Sequence, residues 1–439
     1  MMSLSAWEKQ FLAILTAICL GLGTAGQVGA ADVASIAVPA DEALWPWVKD
    51  LDQPPAPPAG VAGRWLPWDN QYKRLASQFS HGGITKAQGE AWDRQMLAIG
   101  AFLKQAPLLQ QPAGFYPHMY GFITVVKAGS WNDRPKQAPL AGGVSALHWP
   151  PRDIQVGAGG EPRLKPGSEI LEAFTLELNF VYPPAGFDWM KDGQGEFGPL
   201  RKQGEYGGFP IYDNALHLTR DGRLPYRPVS QERVLRAFLA RFKDEPKNVE
   251  QRIAEARKSY EAYMAPARVA ERKAKIDEEV DRLRATARQP SEADQRRRSL
   301  EARQKSNEEG MRLAANPDLE RDPKYATLRA VRAAEAQLAS MSEAERRRPA
   351  WQGRNAASNE AGLVPEGTPG SSPLISFDPD FFDAGAPRHE VRIALVRKLH
   401  TTAYNAHRRA PTEVNVAARA NLLLLQQTDW RQFAEKFVR

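Results

Sequence analysis

Residues 231–350 constrain the fold more than any other part of the chain. They carry 28 Lys or Arg and 22 Asp or Glu, so 50 of 120 residues are charged, against 25% for the whole chain. None of the chain's 11 tryptophans falls in this stretch. Ionised side chains at that density cannot be buried in a core, so the segment must expose most of its surface. Its apolar residues recur at helical spacing. Val234, Leu235, Phe238, Leu239 and Phe242 follow the N-cap candidate Ser230. Ile253, Tyr260, Ala267 and Ala274 fall seven apart, and Ile276, Val280 and Leu283 continue the pattern. Pro246 and Pro266 are expected to interrupt or kink the run. Gln289-Pro290-Ser291 is the main break, with 59 residues in 230–288 and 56 in 291–346. Two limbs of matched length around one break predict an antiparallel, coiled-coil-like helical hairpin.

Strand and helix signals lie on both sides of this arm. Thr85 with Gln88 has capping-box spacing, and Trp92, Met96, Ile99, Phe102 and Leu103 then repeat every three or four residues. GFITVV at 121–126 is rich in β-branched and aromatic residues. In 170–182, Phe174, Leu176, Leu178 and Phe180 alternate with Thr175, Glu177 and Asn179, the period of a strand. Asp221-Gly222 between 216–220 and 223–226 predicts a hairpin turn. Residues 374–377 and the alternation of Val391, Ile393 and Leu395 predict two more strands, and 413–427 and 429–437 two closing helices. The economical fold class is α+β: a mixed body interrupted by a long charged helical insertion. The expected organisation is a leader at 1–30, a Pro-rich linker at 31–63, body at 64–227, arm at 228–349 and the rest of the body at 350–439.

The leader is read from FLAILTAICLGLG at 11–23, an apolar run too short to span a bilayer. Lys9 precedes it, and Val28-Gly29-Ala30 supplies the small residues a signal peptidase reads. Cleavage is expected between Ala30 and Ala31. The chain's one cysteine, Cys19, would leave with the leader, so no disulfide and no multi-thiolate zinc site is available to the mature protein. The mean hydropathy of −0.50 excludes a polytopic membrane protein. Four prolines among 54–58 favour a stiff, extended spacer.

No catalytic, cofactor or metal residue is assigned. The seven histidines form no HxH or HExxH pair. Ser145 lacks a nucleophile-elbow context and His148 stands only three residues away. Glu172, Glu177 and Asp213 lie in or near strands and read as surface residues of a half-exposed sheet. Asp378, Asp380 and Asp383 read as Asx turns rather than a calcium loop. Trp65 and Trp68 either pack under the first helix or stack on sugar rings; packing is the expectation. Arg296, Arg297 and Arg298 are the sharpest basic cluster and the candidate contact for an anion or partner.

Pro107-Leu108-Leu109, Gln111-Pro112-Ala113-Gly114-Phe115, Pro228-Val229-Ser230 through Leu235, Asp378-Pro379-Asp380-Phe381-Phe382 and Pro387-Arg388 resemble phrases in exported bacterial proteins of unknown function. The resemblance implies export and no particular activity. The leading expectation is a non-enzymatic envelope protein, periplasmic or secreted, acting through interaction or assembly by its helical arm. Its partner would be another envelope protein or an anionic envelope surface, not nucleic acid. An envelope hydrolase with its site on the body is the second reading, and a periplasmic ligand-binding module the third.

Overall fold

The computed structural model describes residues 45–67, 69–70, 84–124, 140–168, 172–182, 186–286, 290–382, 385–408 and 413–439. All belong to one compact unit, 38–439. The chain is α+β. Its strands are β1 (Asp69–Asn70), β2 (Tyr116–Thr124), β3 (Ala141–Trp149), β4 (Ile154–Val156), β5 (Pro162–Leu164), β6 (Ala173–Leu178), β7 (Lys191–Asp192), β8 (Gly195–Pro199), β9 (Lys202–Tyr206), β10 (Phe209–Tyr212), β11 (Ala215–Leu218), β12 (Tyr226–Pro228), β13 (Trp351–Gln352), β14 (Leu363–Val364), β15 (Ser372–Phe377) and β16 (Ala394–Arg397). The helices are α1 (Lys86–Leu103), α2 (Pro107–Gln110), α3 (Gln231–Arg241), α4 (Glu245–Met264), α5 (Pro266–Thr286), α6 (Pro290–Ala315), α7 (Ala326–Ser340), α8 (Glu343–Arg347), α9 (Leu399–Ala406), α10 (Glu413–Gln427) and α11 (Trp430–Phe437).

An eight-stranded sheet in the order β1-β2-β3-β6-β16-β11-β10-β9 forms the main body. One face is packed by helices. Trp92, Met96 and Ile99 of α1, Leu422 and Leu425 of α10, and Trp430 and Phe433 of α11 meet Met119, Val144, Leu176, Leu216 and Val396 of the strands. Burying apolar area of this extent is the main stabilising contribution to the body. The capping box forms at α1: Thr85 Oγ1 accepts from the Gln88 amide, and Gln88 Oε1 from the Thr85 amide. Gly142 lets α1 approach closely, because a Cβ there would stand 2.2 Å from the Phe122 carbonyl and 3.0 Å from the Trp92 ring.

A second sheet, β14-β13-β15-β8-β7 with β12 also on β15, stands at the arm's base. Its core joins Trp189, Phe197 and Leu374 to Val234 and Phe238 of α3 and Val331 of α7. Asp221-Gly222 is a turn, with Gly222 at φ 76° and the Arg223 amide donating to Asp221 Oδ1. It closes no hairpin: β11 pairs with β10 and β16, and β12 pairs with β15. The turn carries the chain from one sheet to the other. The hairpin turn nearby is Asp213-Asn214, at φ 46° and 66°, joining β10 to β11.

The arm leaves and re-enters the body at one point. Ser230 bridges Pro349, and the Gln231 amide donates to the Arg348 carbonyl at 2.9 Å. Pro266 and Pro290 each open a helix, where the missing N–H costs nothing. Cross-helix bonds from Arg257 to the Ala315 carbonyl, Arg297 to Asp277 and Arg284 to Asp294 set α6 antiparallel to α4 and α5. That geometry is an antiparallel helix pair; it does not establish a coiled coil. Val280 and Ala293 are buried between mostly charged neighbours.

The proline-rich segment lies along the body. Gln426 Nε2 donates to the Leu51 and Gln53 carbonyls, the Gly114 amide donates to the Val61 carbonyl, and Pro55 and Pro58 are buried. Residues 1–44, including the leader and the Ala30–Ala31 cleavage position, lie outside the described residues.

Candidate functional site

The face of the large sheet turned away from α1, α10 and α11 carries an unusual run of rings. Strand periodicity puts Tyr116, His118, Tyr120 and Phe122 of β2 on it, each half-buried. Opposite them on β3 stand Trp149, Leu147, Ser145 and Gly143. Gly143 also pairs with Glu177 of β6. A Cβ at Gly143 would stand 3.0 Å from the Phe122 ring and 2.1 Å from the Leu176 carbonyl, so only glycine leaves Phe122 room beside Glu177.

The chain then changes sides. Asn179 follows β6 at φ 56°, a left-handed conformation that asparagine tolerates better than most residues. Its side chain is fully buried. Nδ2 donates to the Leu140 and Glu390 carbonyls at 2.9 and 2.8 Å, and Oδ1 accepts from the Arg392 amide at 2.7 Å. Alternation would place Phe180 with Phe174, Leu176 and Leu178 in the helix-covered core. The turn at Asn179 instead brings Phe180 beside Phe122. Rings therefore follow one another from His118 to Tyr120 (6.3 Å), Phe122 (6.3 Å), Phe180 (6.5 Å) and Tyr182 (6.0 Å).

This ribbon ends in a polar cluster. Tyr182 Oη donates to Glu177 Oε2 at 2.6 Å. The Arg397 guanidinium lies 3.9 Å over the Tyr182 ring, with Nη1 3.8 Å from the same carboxylate oxygen. Burial pushes the Glu177 carboxyl above its usual range, opposed by the Tyr182 hydrogen bond and by Arg397 and Lys398. Burial, then the bond to Glu177, pushes the Tyr182 phenol well up. Tyr226 of β12 donates to the Tyr182 carbonyl at 3.1 Å and ties the cluster to the second sheet. Glu177 is therefore no free surface carboxylate: its side chain is 16% exposed, against 36% for Arg397. Asp213 lies in the β10–β11 turn; burial around its carboxyl raises it to about 6, opposed by Arg201 and Arg397.

A second polar group lies on the helix-covered face. His148, on the same strand as Ser145 but three residues on, points to the opposite side of the sheet. Ser145 Oγ lies 3.4 Å from Thr175 Oγ1. The two residues cannot act as one catalytic pair. His148 is buried against the Phe115 ring at 4.8 Å and beside Asn421, and burial lowers it to about 4. Both Glu172 carboxyl oxygens are buried, and burial raises that group to about 7 against the opposing pull of Lys398, Thr402 and Asn405. His217 of β11 lies on the other, ring-bearing face, in the row of Leu395 and Glu177, and burial lowers it to about 3.

Of the arm's basic triplet, Arg296 pairs with Glu279 at 2.7 Å and Arg297 with Asp277 at 2.6 Å. Arg298 is exposed and forms no ion pair among the described residues. Asp378 accepts from the Asp380 amide in an Asx turn and pairs with Arg223 at 3.0 Å; Asp383 lies outside the described residues. Trp65 donates its indole N–H to the Leu109 carbonyl and takes Lys104 over its ring; Trp68 lies outside the described residues. Among the described residues no three His, Cys, Asp or Glu side chains are grouped to hold a metal, and no helix is long and apolar enough to cross a membrane. Comparison with family models, curated proteins and solved structures found nothing that matches this chain.

Sequence reasoning did not single out Tyr182 or Arg397. The recoverable signal was the every-second aromatic pattern in YPHMYGF at 116–122, which marks one face of a strand with rings.

Proposed function

We propose that the chain is an exported ligand-binding module whose ligand lies on the ring-bearing face of the large sheet. One observation carries the reading: a continuous ribbon of half-buried rings that ends in a carboxylate, a phenol and a guanidinium in mutual contact. Binding sites combine aromatic lining with a few convergent polar groups and perturbed titrations. Aromatic side chains supply large contact area, and tyrosine adds a polar tip. A hydrolase gains less support, because Ser145 and His148 are separated by the sheet. Export rests on the apolar run at 11–23 and the small residues at 28–30.

The test is an NMR titration of the full chain with four named probes: phenyl β-glucoside, sucrose, citrate and thymidine. The ring signals of Tyr120 and Tyr182, assigned through Tyr→Phe replacements, should shift with at least one probe. Shifts confined to Tyr260, Tyr263 or Tyr325 of the arm, or none at all, would reject the reading.

A second role, interaction or assembly with another envelope protein or an anionic envelope surface, belongs to the arm. Its support is the rooting at Ser230 and Pro349 together with the mostly charged, exposed surfaces of α4, α5 and α6. Replacing Arg298 with Glu should weaken adsorption to anionic vesicles at low salt. Unchanged adsorption would count against this role.

A further inference from the structure

Resting on the binding-face reading above, we propose that the ligand is a neutral, linear oligosaccharide, with its end held at Glu177 and Arg397. The ribbon is long: five rings in steps of 6.0–6.5 Å, from His118 through Tyr120, which also packs against Leu147 and Trp149, then Phe122 and Phe180 to Tyr182. A compact ligand would meet one or two of these rings, so the shape selects a chain molecule with repeated flat faces. Pyranose rings have such faces, because their axial C–H groups present an apolar surface that packs on an aromatic ring.

The polar terminus fits hydroxyl groups. Glu177 gives Oε2 to Tyr182, while Oε1 accepts no hydrogen bond from a described residue. Arg397 lies over Tyr182, interacts with its hydroxyl and reaches Glu177 at 3.8 Å, too long for a hydrogen bond; a guanidinium carries five N–H donors, more than the Tyr182 hydroxyl can engage. An acceptor and a planar donor fork side by side match vicinal hydroxyls, each of which donates and accepts.

Two other chain ligands fit less well. A nucleic acid needs cations spaced along its phosphates, whereas the cations here, Arg397, Lys398 and Arg201, gather at one end of the ribbon and are interleaved with Glu177 and Asp213. An extended peptide gains its affinity by pairing with an unpaired strand edge. Here β2 is paired along its whole length with β3 and, on its other edge, with β1 at Tyr120 and Gly121, the middle of the ribbon; β3 is paired with β2 and β6. The face offers side chains, not backbone.

The test is calorimetric titration of the full chain with cellopentaose, maltopentaose and penta-N-acetylchitopentaose, each beside its disaccharide. Decathymidylate and penta-alanine serve as the competing chain ligands. At least one pentasaccharide should bind about tenfold more tightly than its disaccharide, roughly the effect of one added ring contact. Tyr120→Ala and Glu177→Gln should each weaken it by about tenfold, and Tyr182→Phe, which keeps the ring, by less. Tyr404→Ala, at an exposed tyrosine outside the ribbon, should leave it unchanged. No binding by any pentasaccharide, or binding insensitive to Tyr120→Ala and Glu177→Gln, overturns the oligosaccharide assignment. If decathymidylate or penta-alanine then binds and loses affinity in Tyr120→Ala, the binding face stands with another ligand. If no probe responds to Tyr120→Ala, the face falls as well.

Discussion

Tyr182 hydroxyl and Glu177 carboxylate meet at 2.6 Å across five residues of chain. The contact exists because Asn179 turns the backbone left-handed between them. In an uninterrupted strand Glu177 and Tyr182 would point to opposite faces. A single backbone conformation thus assembles the end of the ring ribbon.

Removing the Tyr182 hydroxyl should raise the Glu177 pKa further. The hydrogen bond favours the charged carboxylate and opposes the upward push of burial. Carboxyl-carbon NMR of Tyr182→Phe should therefore show Glu177 titrating at higher pH than in the parent. A downward shift or none would mean that the bond is absent in solution. Stability should fall by about 1 kcal/mol.

Asn179→Ala should be among the most destabilising single changes in the body. It strips hydrogen bonds from the Leu140 and Glu390 carbonyls and the Arg392 amide, and leaves alanine at φ 56°. A loss of about 3–5 kcal/mol in chemical denaturation follows from orphaned buried groups and backbone strain together. Asn179→Gly removes the same bonds without the strain and should recover about 1 kcal/mol. Equal effects of the two changes would mean that the conformation carries no cost.

Glu172 sets a pH dependence with a definite sign. Burial raises it from 4.5 to about 7, so the folded chain holds this proton more tightly than the unfolded chain. Its contribution to stability is complete below the unfolded value and is lost as pH rises through about 7. Glu172→Gln should leave the midpoint of thermal unfolding unchanged at pH 4. At pH 8 it should raise stability by on the order of 1–2 kcal/mol. A variant less stable than the parent at pH 8 would show that the carboxylate is paired there.

Within the arm, Arg296 and Arg297 are bound to acids on the facing helix, which makes Arg298 the clean probe of partner contact. Arg297→Glu sets a carboxylate against Asp277 and should speed hydrogen exchange in α5 and α6. The combination with Asp277→Arg should restore most of the loss at low salt, and less as added salt screens the pair. Exchange unaffected by Arg297→Glu would mean that the cross-helix pair does not hold the limbs together.

Much of the fold was legible in the sequence where one local rule dominated. The Thr85–Gln88 box and the apolar spacing behind it gave α1, and alternation gave the body of β6. Matched limb lengths gave the antiparallel arm with its ends together. What escaped depended on backbone conformations that residue type only weakly signals. Asp213-Asn214 forms the β10–β11 turn without glycine, while the glycine-bearing Asp221-Gly222 serves a crossing between sheets. Strands β9 and β10 flank Gly207-Gly208, a two-residue turn signal whose neighbours, QGEY and FPIY, lack a clear apolar alternation. The site was the least legible part. Glu177 looks like any outward carboxylate of a strand until Asn179 returns Tyr182 to it, and Arg397 reaches it from more than two hundred residues away.

Export is tested apart from the fold. N-terminal sequencing of the protein recovered outside the cytoplasm should begin at Ala31, after Ala30. Full-length chain in the soluble cytoplasmic fraction would reject the leader.

The binding face itself is tested most directly by hydroxyl-radical footprinting of the full chain, with and without a soluble extract of its own cell envelope. Tyr120, Phe122, Phe180 and Tyr182 should be oxidised several-fold more slowly in the extract. Leu97, Leu313 and Tyr404, which are 44%, 53% and 56% exposed, should react as before. Unchanged oxidation of the four rings, or protection confined to the arm, would contradict a ligand site on this face.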